Sequence, residues 1–165
     1  MEGIVEGTDT ISFIFKNEVP ADRWRGITYG WIVANLRLEK EDPYRVRLTV
    51  GGDRINFPGD CGTPTADILT IKLLLNSVIS TRGARFMTID IKKFYLNTLM
   101  DRPEFMTLKI ADMPDSIVKQ YDLQDKVTKD RYIYVRVSHG MYGLPQAGII
   151  AQQLLEKRLN AQGYL

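Results

Sequence analysis

The stretch "FMTIDIKKFYLN" (Phe86–Asn97) places a carboxylate, Asp90, inside a run that alternates apolar and polar residues. This alternation predicts a buried strand over residues 85–91. An unpaired buried carboxylate costs roughly several kcal/mol, so it is expected beside a cation or a metal ion. Asp90 therefore needs a partner, unless it caps the following turn while Lys92 or Lys93 screens its charge.

Composition restricts the class of protein. With 165 residues, 44% hydrophobic and 25% charged, the chain fits one globular domain or a large piece of one. The net charge of +2 does not indicate a nucleic-acid partner by itself. A single cysteine, Cys61, excludes an internal disulfide, and together with the single histidine, His139, it cannot form a zinc site of the usual kind.

No run approaches the ~18 apolar residues of a membrane span, and the start "MEGIVEG" lacks the basic region of a signal peptide. These features predict a soluble intracellular protein with no membrane partner. They leave a cytoplasmic or nuclear location, and the oligomeric state, open.

The order of predicted elements indicates an α+β fold. Strand patterns occupy residues 11–15, 27–38, 44–50, 85–91, 104–110 and 131–137, with 27–38 and 44–50 forming a hairpin around a charged turn. Helical spacing occupies residues 66–81, with Thr65 as N-cap and a buried face at 68, 71, 74, 75 and 78, and residues 146–164. A short surface helix, capped by Asp115 or Ser116, is predicted between them.

The segment "GMYGLPQAG" (Gly140–Gly148) is a glycine-rich turn that opens a helix. Such a turn lets backbone N–H groups approach a phosphate or a sugar closely. A plain connection from strand to helix explains the same residues equally well.

Five segments, "RLTVGGD", "TPTADILTIKLLL", "FMTIDIKKFYLN", "FMTLKI" and "YVRVSHGMYGLPQAG", occur in an order and spacing that resembles the copia-type reverse transcriptase domain of retrotransposon polyproteins. The resemblance covers residues 20–165 and leaves 1–19 as an N-terminal extension. It implies the fingers and part of the palm of a right-hand polymerase, truncated before the Asp-Asp hairpin of the palm. The implied activity is RNA-directed DNA polymerisation, with two Mg²⁺ ions in the complete domain.

The resemblance also implies roles for individual residues. Asp90 matches the first catalytic aspartate and a metal ligand, and the carbonyl of Ile91 also reaches a metal. Tyr95, five residues after Asp90, matches an aromatic that disfavours a 2′-hydroxyl. The remaining matches concern the incoming nucleotide: Lys40 and Arg47 at the triphosphate, the backbone N–H groups of Lys93 and Phe94, and Gln146.

One departure limits what is expected of this chain. The family's second metal site, an adjacent Asp-Asp pair, is absent after Gly140, and the adjacent acidic pair Glu41-Asp42 lies in the predicted fingers turn. Polymerisation by this chain alone is therefore not expected, and template-primer and dNTP are partners of the complete domain.

Two other interpretations remain open. In the first, the chain is a non-catalytic nucleic-acid or nucleotide-binding remnant. The residues of "RWRGITYGW" and "YRVR" would then follow a nucleic-acid backbone and stack on bases. Alternatively it is an unrelated α/β protein in which Asp90, at a strand end, is phosphorylated or binds a metal.

Overall fold

A curled five-stranded sheet organises the chain in the computed structural model, which describes residues 8–39, 43–63 and 65–164. The strands are β1 (Ile11–Ile14), β2 (Thr28–Leu36), β3 (Tyr44–Val50), β4 (Leu99–Lys109) and β5 (Tyr132–His139), in the order β1-β5-β4-β2-β3. Neighbours pair antiparallel, except that β2 and β4 run parallel where Thr28 faces Met106. With its helices, this sheet confirms the α+β prediction.

The core lies on one face of the sheet. On β4 and β5 the alternating residues turned toward it are apolar and pair across the strands: Met106 with Val135 and Leu108 with Ile133. Helix α1 (Ile68–Ser80) contributes no buried residue, whereas α2 (Asp115–Gln120) and α3 (Ala147–Ala161) do. No helix in the described part of the chain is long and apolar enough to cross a membrane.

Several local predictions are confirmed. The β2–β3 hairpin forms as expected, and so do the strand at 11–14, the strand at 132–139 and the last helix. Strand β1 lies within the predicted N-terminal extension and pairs with β5 in the same sheet. The predicted short surface helix also forms, as α2, with Asp115 and Lys119 exposed while Ile117 and Val118 pack into the core cluster. Its N-cap is Pro114 rather than Asp115 or Ser116.

Helix α1 departs from its prediction in two ways. Its N-cap is Asp67, not Thr65, because the Asp67 carboxylate accepts a hydrogen bond from the Thr70 N–H at 2.7 Å. The predicted buried face is also wrong, since Ile71 and Leu74 remain 41% and 53% exposed. Helical spacing shows which side could be buried, but burial requires another element against it.

The predicted strand at 85–91 is absent. Residues 84–91 belong to no strand or helix, and Phe86 and Asp90 are both exposed. A strand requires hydrogen-bonded neighbours, and no described residue pairs with this segment. Alternation alone therefore did not determine the structure here.

Candidate functional site

Three segments that are far apart in sequence meet beside the free edge of β3. They are the end of β3 itself, the turn at 92–98 and the turn at 140–146. The Val50 N–H donates to the Tyr142 carbonyl at 2.8 Å, and the Gly140 N–H donates to the Thr98 carbonyl at 2.7 Å. The glycine-rich turn is therefore held on both sides by backbone hydrogen bonds.

Two glycines make this approach possible. Gly143 has φ of +92° and its α-carbon faces the Val50 carbonyl, while Gly52 faces the Gly143 carbonyl. A side chain at either position would overlap a backbone oxygen. These contacts explain why the "YGLP" turn and the "VGGD" end of β3 both need glycine.

Four side chains are in contact, one after another, where these three segments meet. The guanidinium carbon of Arg47 lies 4.7 Å from the centre of the Tyr142 ring. Tyr142 packs edge-on against Tyr95 with ring centres 5.8 Å apart, and Tyr95 lies 5.6 Å from Phe94. The structure thus brings together three residues carried over from the resemblance, Arg47, Phe94 and Tyr95.

Sequence reasoning missed Tyr142, which links Arg47 to Tyr95. The available signal was its position inside the quoted turn, between Gly140 and Gly143. We name the group Arg47, Tyr142, Tyr95 and Phe94 the junction cluster.

Arg47 is half-buried within β3. Among the residues that the structure describes, its buried Nε has no hydrogen-bond acceptor and no carboxylate lies within 4.0 Å of its guanidinium. A cation in this setting suits an anionic ligand such as a phosphate, to which arginine donates in a fixed fork.

The turn at 92–98 carries an unusual backbone conformation. Lys93 has φ of +57°, which few residues other than glycine adopt without cost. The turn is closed by the Asn97 N–H donating to the Lys93 carbonyl at 3.1 Å. Asp9, Asp122 and Arg131 share this left-handed conformation, so it does not by itself distinguish the segment as functional.

The predicted metal ligands lie at the solvent-exposed surface. Asp90 and Ile91 are both exposed. Within the described residues, no group of three or more His, Cys, Asp or Glu side chains could hold a metal ion. One carboxylate does not fit a two-metal centre, so no chemical step is assigned to a metal here, and Mg²⁺ stays a prediction about the complete domain. Lys40 lies outside the described residues.

Gln146 has a different environment from the junction cluster. It is 2% exposed, and its Nε2 donates to Glu104 Oε1 at 3.3 Å. The other Glu104 oxygen, Oε2, accepts from Arg23 Nη2 at 2.6 Å. Burial raises the pKa of Glu104, while Arg23, Arg102 and Gln146 each oppose that shift by less.

Glu104 and Arg23 were missed by sequence reasoning. Glu104 starts the apolar run "EFMTLKI" and is turned to the core side of β4, paired with Val137. It meets the criterion that was applied to Asp90: a carboxylate within an apolar strand that requires a partner. The partner is Arg23, in the 3-10 turn Ala21–Gly26.

The opposite face of the sheet carries an open groove of about 570 Å³. Its lining includes the aromatic side chains Tyr29, Trp31, Tyr132 and Tyr134, the cations Arg54 and Lys109, and the acids Asp112 and Asp130. Tyr29 stacks on Trp31 at 5.3 Å and donates its hydroxyl to Asp53, which raises the pKa of Tyr29. This face contains part of the predicted "RWRGITYGW" segment.

No family model, curated protein or solved structure matches this chain. The resemblance to copia-type reverse transcriptases, and the residue roles taken from it, therefore stay predictions.

Proposed function

We propose that this chain is the fingers and partial palm of a copia-type reverse transcriptase, an RNA-directed DNA polymerase, and that the junction cluster binds the incoming nucleotide. The observation that carries the proposal is Arg47. It is a half-buried arginine with no acidic partner among the described residues, and it packs on Tyr142 beside Tyr95.

Each part of the cluster has a chemical task in this proposal. Arg47 donates to phosphate oxygens, and the backbone N–H groups of Lys93 and Phe94 offer further donors to the triphosphate. Tyr95 packs beneath the sugar and leaves no room for a 2′-oxygen. Tyr142 supports both, because its ring contacts Arg47 and Tyr95 together.

Gln146 is not a member of the junction cluster. Its contact is with the buried Glu104, not with a member of the junction cluster. Its carried-over role at the nucleotide stays a prediction.

Calorimetric titration of the purified chain with dATP tests the proposal. Arg47→Ala should weaken binding by about 1.5–3 kcal/mol, the value of a lost charge-assisted contact. Arg45→Ala is the matched control, because Arg45 lies two residues away on the same strand. No dATP binding by the wild-type chain, or equal loss in both variants, would contradict a specific phosphate contact.

The sugar-gate role is tested in the same titration. Tyr95→Ala should bring the affinity for ATP close to that for dATP, while Tyr95→Phe should keep the difference, since the ring rather than the hydroxyl excludes the 2′-oxygen. Unchanged discrimination in Tyr95→Ala would show that Tyr95 only fills the core.

The aromatic groove favours a second candidate, a non-catalytic nucleic-acid-binding module. Tyrosine and tryptophan rings beside Arg54 and Lys109 are the elements of a stacking platform for single strands. Trp31→Ala should then cost about 1–3 kcal/mol in affinity for single-stranded RNA, whereas Tyr164→Ala, at an exposed position near the C-terminus, should cost nothing. If Trp31→Ala and the wild-type chain bind single-stranded RNA with equal affinity, stacking in this groove is excluded.

A further inference from the structure

Three polar side chains from distant segments form a buried network. Arg23, Glu104 and Gln146 are each less than 10% exposed, and they are 81 and 42 residues apart along the chain. Removing an ion pair from water costs about as much as its attraction returns. A gain in stability is therefore a weak explanation for why this network is buried. Its geometry suggests a second explanation, the positioning of the segments that it connects.

The network connects two elements through one carboxylate. On one side, Arg23 belongs to the 3-10 turn Ala21–Gly26 and packs over the Phe105 ring at 5.6 Å. On the other side, Gln146 directly precedes α3 and ends the turn that carries Tyr142. Glu104, on β4, is the link between them.

The contact with Glu104 also determines how the Gln146 amide is oriented. The NH₂ group of Gln146 faces Glu104 Oε1 at 3.3 Å, the arrangement that an ionised carboxylate requires because it only accepts hydrogen bonds. Its Oε1 then lies buried without a donor among the described residues. The amide cannot turn around without losing the bond to Glu104, so this contact fixes the end of the turn.

We infer that Glu104 and Arg23 are positioning residues for the junction cluster: they hold Gln146, and through the 140–146 turn they hold Tyr142 against Arg47 and Tyr95. The effect of Glu104 on the 140–146 turn does not depend on what the chain binds. Its consequence for nucleotide binding rests on the proposed function.

Hydrogen exchange followed by mass spectrometry tests the positioning directly. In Glu104→Gln, residue 104 keeps its shape but has one oxygen to accept from both Arg23 and Gln146. We expect exchange in the peptide covering 140–146 to become about tenfold faster, the effect of losing one hydrogen bond, and exchange in 115–126 to change less than about twofold. Uniform acceleration across the chain would overturn the inference, because it would indicate general destabilisation.

A second variant keeps the test decisive if Glu104→Gln does not fold. Gln146→Met retains the size of the side chain and removes only the bond to Glu104, and it should accelerate exchange in the same peptide. Arg25→Ala is the control for loss of a cation from the same 3-10 turn, and it should leave exchange at 140–146 unchanged because Arg25 is exposed. Unchanged exchange at 140–146 in Gln146→Met would overturn the inference.

The nucleotide readout separates this inference from the proposed function. Glu104→Gln should weaken dATP binding by about tenfold in the wild-type background and have little further effect in Arg47→Ala, because both act on one contact. Full additivity of the two losses would overturn the positioning role. If the wild-type chain binds no dATP, the proposed function fails, while the exchange measurements still decide whether Glu104 holds the turn.

Discussion

At the scale of single residues, the buried Glu104 should affect how stability depends on pH. Burial raises its pKa in the folded chain, so the native state binds this proton more tightly than the unfolded state does. The resulting stabilisation is complete below the unfolded pKa and is lost as pH rises through the folded pKa.

We therefore expect the free energy of unfolding of the wild-type chain to fall, relative to that of Glu104→Gln, as pH rises above the ordinary glutamate value of about 4. Urea unfolding of both proteins at a series of pH values measures this difference. The opposite slope would show that the Arg23 ion pair outweighs burial, and parallel curves would show that Glu104 does not titrate abnormally.

Gly143 provides a second prediction at this scale. Gly143 and Gly83 both have positive φ, +92° and +81°, but only Gly143 has a backbone oxygen in the space that a β-carbon would need. Gly83→Ala should cost about 1 kcal/mol from backbone conformation alone, and Gly143→Ala about 1–3 kcal/mol more from the overlap with Val50. Equal unfolding free energies for the two variants would mean that the junction between β3 and the turn is loose.

At the scale of elements, helix α1 is apolar without being buried. Leu73 is 61% exposed, whereas Ala151 on α3 is 1% exposed. Leu73→Glu should leave the free energy of unfolding within about 0.5 kcal/mol of wild type and reduce binding of a hydrophobic dye, because the helix presents an open apolar surface.

Ala151→Glu is the contrasting variant, and it should destabilise the chain by roughly several kcal/mol because it buries an unpaired charge. Thermal unfolding and dye fluorescence of both variants provide the check. A large loss of stability in Leu73→Glu would show that α1 packs against another element.

At the scale of the whole molecule, we expect the purified chain to incorporate no dNTP into a template-primer. Transfer by a two-metal mechanism needs several carboxylates around the ions, and Asp90 stands without such a group in the described part of the chain. Primer extension with Mg²⁺ is the measurement, and Asp90→Asn is the control because it removes the charge and keeps the shape. Incorporation that this substitution abolishes would refute the expectation.

Much of the local structure could be predicted from the sequence. The hairpin of β2 and β3, strand β5 and helices α1 and α3 follow from the spacing of apolar residues, because periodicity is a property of neighbouring positions. The need for a turn at "GMYGLPQAG" was visible for the same reason, since glycine and proline act on the backbone where they stand.

The tertiary structure decided which side chains are buried and which distant segments meet. The sequence contains two carboxylates in apolar runs, and local pattern could not show that Glu104 is enclosed with Arg23 while Asp90 is exposed. Nor could it show that Tyr142 contacts both Arg47 and Tyr95, or that no residue of α1 is buried. The physical reason is that the desolvation of a charge, and the burial of an apolar face, depend on atoms contributed by segments tens of residues away.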